Sequence, residues 1–152
     1  MYKTVVFDLD GTLLNTLTDL ADAGNRLCRK YGWPTHERQA YRYFVGNGIP
    51  KLVERLAPAD QRTPAVLEAA LADFKRDYGQ HLRDTTAPYP GIPEMLAKLK
   101  ANGVQLAVFS NKADALAKEV VKDYFGTQYF TIVRGQMTGV APKPAAEGTN
   151  AL

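Results

Sequence analysis

Val5-Val6-Phe7-Asp8-Leu9-Asp10-Gly11-Thr12-Leu13 is an apolar run that ends in two carboxylates, a glycine and a hydroxyl. Thr4 to Phe7 is short, β-branched and aromatic, the composition of a strand buried on both faces of a parallel sheet. Such a strand delivers Asp8 to its carboxyl end. In extended chain, residues i and i+2 point to the same side, so Asp8 and Asp10 face one pocket, about 6.6 Å apart along the backbone. Gly11 then lets the chain turn where a side chain would obstruct it.

Two carboxylates in one crevice repel unless a cation or a shared proton lies between them. The pattern suits phosphoryl chemistry. One Asp attacks phosphorus to give an aspartyl-phosphate, while the other protonates the leaving oxygen and later activates water. Mg²⁺, a hard ion that prefers carboxylate, carbonyl and water oxygens, would screen the nucleophile from the approaching phosphate. A solvated acidic turn is the plain alternative. A calcium loop fits less well, because the EF-hand pattern needs an oxygen ligand at its fifth position and Gly at its sixth, and Leu9 and Gly11 break that register.

At these residues the chain resembles the haloacid dehalogenase-like hydrolase superfamily, whose first motif is an apolar strand followed by Asp-x-Asp-Gly-Thr. The resemblance implies that Asp8 is the nucleophile. It implies that Asp10 is the general acid and base and also offers Mg²⁺ a backbone carbonyl, and it sets Thr12 among the phosphate-binding residues. Dehalogenases of the superfamily lack the second Asp, so its presence favours phosphoryl chemistry over carbon–halogen cleavage.

The composition is that of ordinary globular protein. The 152 residues suffice for one domain, or for a small core with a modest insertion, and 45% of them are apolar and 23% charged. A net charge of +3, without a basic run interleaved with aromatics, argues against nucleic-acid binding and suits an anionic substrate. The single Cys28 excludes an internal disulfide, and His36 and His81 lie too far apart for zinc-ligand spacing. No apolar run approaches the roughly eighteen residues that span a bilayer, and the N-terminus has no signal-peptide pattern. The expectation is a soluble, cytoplasmic protein without membrane or nucleic-acid partners; the oligomeric state is open.

Helical periodicity follows the first motif. Thr16 to Tyr31 carries Leu17, Leu20, Ala21, Leu27 and Cys28 at helical spacing and ends at Gly32. Helices are predicted over Thr35 to Phe44, Ile49 to Ala57, and onward from Thr63-Pro64, the last with Leu67, Ala70, Leu71, Phe74 and Tyr78 as its apolar stripe. The pattern changes at Thr85 to Pro93, where prolines and Gly91 cluster. A helix over Glu94 to Ala101, a buried strand over Val104 to Phe109, a helix through Leu116 to Tyr124 and a strand near Tyr129 to Val133 complete an α/β series. The fold expected is α/β, a Rossmann-like parallel sheet core over residues 1–15 and 86–152, interrupted by a helical insertion at 16–85. In the superfamily such an insertion is a helical cap that closes over substrate, with Asn15-Thr16 and Thr85 to Tyr89 as its hinges.

The remaining site candidates come from the same resemblance. Ser110, at the end of a strand, matches the second motif, a hydroxyl that binds a phosphoryl oxygen, and Asn111 offers a backbone donor beside it. Parallel strands end along one edge, which would bring Ser110 beside Asp8. Lys143, in Ala141-Pro142-Lys143-Pro144, matches the third motif, a lysine that stabilises developing phosphoryl charge and counts with Asp8 and Asp10 as catalytic. Gly46-Asn47-Gly48 and Lys51, with Phe44-Val45 before them and Leu52 to Arg55 after, resemble the cap of phosphoglycolate phosphatases, as does Tyr89-Pro90-Gly91-Ile92-Pro93. These are the candidate substrate residues, and a small phosphorylated metabolite such as 2-phosphoglycolate is the partner implied.

One family feature is missing. The fourth motif, an acidic pair that completes the Mg²⁺ site (Asp8 and Asp10 being the other ligands), has no counterpart after Lys143, where Glu147 is the only acidic residue. The expectation is a truncated form of a longer protein, poorly active, with the Asp8 strand left as a sheet edge. A phosphomutase using the same residues, a receiver-type signalling module and a non-catalytic phospholigand-binding or regulatory protein are the alternatives.

Overall fold

The computed structural model describes residues 2–141 and residue 143. The chain divides into two compact units, one comprising Met1–Asn15 and Ala87–Leu152, the other Thr16–Thr86.

The first unit is α/β. Strand β1 (Thr4–Phe7) runs parallel to β4 (Gln105–Ala113), which runs parallel to β5 (Phe130–Gln136), giving the order β1-β4-β5. Helices α5 (Ile92–Ala101) and α6 (Asp114–Phe125) make the connections, and Leu9, Leu13, Leu96, Leu106, Val108 and Val121 are core residues between these layers. Two short strands, β2 (Leu14–Asn15) and β3 (Ala87–Pro88), pair antiparallel where the chain leaves this unit and returns to it.

Two details differ from the sequence reading. Strand β1 is not buried on both faces. It is an edge among the described strands, its residues alternate between exposed and half-buried, and Val6 is 50% exposed. An apolar run reports its β-branched composition but not how many neighbours it has. Strand β4 does not stop at Phe109; it continues through the polar triplet Ser110-Asn111-Lys112 to Ala113. Phe109 pairs with Arg134 and Ala113 with Gln136, so four steps along β4 answer two along β5. Irregularities of this kind re-aim side chains next to functional sites.

The Thr16–Thr86 unit is helical: α1 (Leu17–Tyr31), α2 (Tyr41–Phe44), α3 (Ile49–Leu56) and α4 (Pro64–Gln80), with 3₁₀ turns at Arg38–Ala40 and Ala59–Gln61. Thr63 caps α4 by accepting from the Val66 N–H at 3.4 Å. The helix predicted over 35–44 is confined to a 3₁₀ turn and the four residues of α2. The Asn25 side chain is one reason: it donates to the His36 carbonyl at 2.9 Å and accepts the His36 N–H at 3.0 Å, which takes those groups out of a helical ladder.

Asp19 ties the two ends of this unit together. It sits in the first turn of α1, where the helix dipole favours an anion, and is 2% exposed. Its carboxylate accepts the Thr85 and Thr86 N–H groups at 2.9–3.1 Å and their hydroxyls at 2.6 and 2.7 Å. Burial pushes the carboxyl upward, but these hydrogen bonds together outweigh it and hold the group below its ordinary value of 3.8. The carboxylate therefore contributes stability that is complete above the unfolded-chain value and is lost as pH falls through the lower folded-state value. Asp19→Ala is expected to destabilise the helical unit by about 2–4 kcal/mol at pH 7. In urea unfolding of the two proteins from pH 7 to pH 3, the gap should narrow at the acid end. A gap independent of pH would mean that Asp19 acts through packing alone.

Candidate active site

The site lies at the carboxyl ends of β1 and β4. After Phe7 the chain makes a tight turn: the N–H groups of Thr12, Leu13 and Leu14 all reach the Leu9 carbonyl at 3.0–3.2 Å, and Gly11 donates to the Leu14 carbonyl at 2.9 Å. Gly11 adopts φ 78°, a conformation a side chain would oppose. Leu9 and Leu13 plug the core below this turn, both fully buried. The polar residues alternating with them, Asp8, Asp10 and Thr12, are exposed or half-buried. The Asp8 Oδ1 accepts the Leu9 N–H at 2.8 Å, which orients the carboxylate on its own backbone.

Lys143 joins this pair from 135 residues away. Its Nζ donates to Asp8 Oδ1 at 3.1 Å and to the Phe109 carbonyl at 2.7 Å, and stands 5.3 Å from the centre of the Phe109 ring. Its backbone N–H donates to Asn111 Oδ1 at 2.8 Å. The Asn111 side chain is thus committed to holding the lysine segment. Ser110 is 1% exposed and its Oγ accepts the Lys112 N–H at 3.0 Å, leaving the hydroxyl proton to donate elsewhere.

The structure brings together Asp8, Asp10, Ser110, Asn111 and Lys143, with Thr12 on the adjoining turn. It also adds Lys112, which the motif reading passed over. Lys112 Nζ lies 3.3 Å from Asp10 Oδ1, and its side chain is 2% exposed. That contact is an ion pair without hydrogen-bond alignment; Asp10 Oδ1 is otherwise buried with no donor. Alternation carries the signal that would have found it, since Ser110 and Lys112 are two apart on one strand. Among the described residues no three His, Cys, Asp or Glu side chains gather as a metal cluster.

Gly46, Asn47, Gly48 and Lys51 belong to the helical unit. Gly46 and Gly48 have φ 108° and 89°, so this pair serves the bend that starts α3. Lys51 is exposed and pairs with Glu54 at 3.1 Å.

Comparison with known proteins places the sequence and the fold in a family. The family model described as haloacid dehalogenase-like hydrolase matches residues 5–152. The phosphoglycolate phosphatase of Thiobacillus denitrificans is 33% identical over 145 residues, 93% of this chain and 64% of its own length. That of Neisseria meningitidis is 34% identical over 94% of this chain and 62% of its own length. The chain therefore spans less than two thirds of these relatives. A solved Lactobacillus delbrueckii protein, assigned by inference as a phosphoglycolate phosphatase, superposes with a TM-score of 0.90 at 28% identity, covering 99% of this chain and 71% of that one. A strand-end carboxylate pair, a hydroxyl on the neighbouring strand and a returning lysine, on a fold and sequence matched this fully, make the chain a member of the haloacid dehalogenase-like hydrolase family.

Proposed function

We propose that the chain carries the phosphoryl-transfer site of a phosphomonoester phosphatase, with 2-phosphoglycolate the first substrate to test. The observation that carries this reading is the pairing of each carboxylate with its own lysine, Asp8 with Lys143 and Asp10 with Lys112. Two anions matched by two cations form a site that tolerates a further anion.

Asp8 is the more open of the pair, its side chain 45% exposed, and is assigned as nucleophile. One of its oxygens bonds to phosphorus as the ester P–O bond breaks. Asp10 gives a proton to the departing alkoxide, then removes one from the water that attacks the aspartyl-phosphate, which releases phosphate and restores Asp8. The Lys143 ammonium, the Ser110 hydroxyl and the Thr12 turn meet the phosphoryl oxygens, and Asn111 keeps Lys143 in place. The donor set fits Mg²⁺: the half-exposed Asp8 carboxylate, the Asp10 carbonyl and a substrate phosphate are all hard oxygens. The Asp8 carboxylate and the Asp10 carbonyl would hold it, and when bound it supplies charge screening between nucleophile and phosphate. Substrate choice is assigned to Gly46, Asn47, Gly48 and Lys51, on sequence resemblance.

A panel of phosphomonoesters incubated with the protein and Mg²⁺ tests the reading. Release of inorganic phosphate, fastest from a small carboxylated ester, is expected. Isomerised sugar phosphate without phosphate release would make the protein a mutase instead.

A further inference from the structure

Two lysines reach the carboxylate pair, and they are built differently. Lys143 is 27% exposed, lies on the segment after β5, and shares its ammonium between Asp8 and a carbonyl. Lys112 is 2% exposed and lies within β4 itself, in the stretch where that strand outruns its partner. The backbone around it is pinned on both sides. Its N–H donates to Ser110 Oγ, a Cβ at Gly135 would collide with its carbonyl, and the Gly135 N–H donates to Asp114 Oδ1 at 2.9 Å. An ammonium buried this deeply is costly unless an anion faces it, and Asp10 Oδ1, a buried oxygen with no hydrogen-bond donor, is an anion that does so.

The geometry points to Lys112 as the positioning residue for Asp10, holding one carboxylate oxygen so that the side chain faces the acid/base position and stays out of the divalent cation's shell. A free carboxylate oxygen near a dication is drawn into coordination, where it can no longer exchange a proton. A compact, fixed ammonium competes for that oxygen and leaves the cation the Asp8 carboxylate and the Asp10 carbonyl. This inference rests on the phosphatase reading for what Asp10 does once it is held.

The test compares wild type with Lys112→Met and Lys112→Arg in three measurements: Mn²⁺ affinity by the EPR signal of the free ion, kcat and KM for phosphate release, and thermal unfolding. Lys112→Met is expected to bind Mn²⁺ more tightly, by about 10-fold, while kcat falls by about 10-fold or more and KM stays within about 3-fold. Arginine should return both values toward wild type. If Lys112→Met melts too low for titration, Lys112→Gln removes the same charge and gives the same readout. Unchanged or weaker Mn²⁺ affinity, or a loss of kcat that simply tracks unfolding, overturns the inference. A wild type that releases no phosphate, with Mn²⁺ affinity still tightened by Lys112→Met, would sink the phosphatase reading and support the positioning one.

Discussion

Asp8→Asn is expected to remove phosphate release, lowering kcat by at least about 10³-fold, equivalent to roughly 4 kcal/mol of barrier. The amide lacks the negative oxygen that would bond to phosphorus. It keeps a carbonyl oxygen that can still accept from the Leu9 N–H, as the carboxylate does at 2.8 Å. Because Asp8 is among the more exposed groups of the site, the substitution should leave unfolding within about 0.5 kcal/mol of wild type. Phosphate release and thermal unfolding measured side by side separate the two effects. More than a tenth of the activity remaining in a normally folded variant would place the nucleophile elsewhere.

Lys143→Met is the second large effect. The lysine bridges Asp8 Oδ1 and the Phe109 carbonyl, and its ammonium stands 5.3 Å from the centre of the Phe109 ring, so methionine keeps an unbranched apolar side chain but not the charge. A fixed charge facing a developing oxyanion in a partly dry site is worth about 10²–10³ in kcat. The loss should appear mainly in kcat if the ammonium acts on the transition state, and in KM if it serves only to attract the phosphate. Since the Lys143 N–H, not its side chain, holds Asn111, the local backbone should survive the change. Kinetics over a range of substrate concentration give the split directly.

The features legible in the sequence were those written in local chemistry. The Asp8-x-Asp10-Gly11 turn could be read because a strand, a two-residue carboxylate spacing and a glycine at positive φ each leave a residue-level trace. The helical insertion could be read from the 3.6-residue stripes of α1, α3 and α4, and the return at Thr85 to Pro93 from its prolines. Ser110 and Lys143 needed the family resemblance, since a hydroxyl after a strand or a lysine in a Pro-rich loop has many uses. Lys112 escaped because a polar triplet reads as loop, whereas tertiary pairing with β5 carries β4 through to Ala113. The Asp19 clamp escaped for a similar reason. Its partners, Thr85 and Thr86, lie 66 and 67 residues away, and nothing in the local sequence distinguishes a clamped first-turn Asp from a solvated one. For β1, strand composition alone suggested burial on both faces, whereas the expectation of a sheet edge, which came from the family resemblance, matches its place beside β4 alone among the described strands.

The central claim is that Asp8 becomes phosphorylated during turnover. The most direct measurement is rapid acid quench of the protein with substrate and Mg²⁺, followed by peptide mass analysis. One phosphoryl group on the peptide carrying Asp8, labile to hydroxylamine and missing in Asp8→Asn, is the outcome required. Phosphate release with that peptide unmodified at every quench time, or the phosphoryl group on another residue, would contradict it.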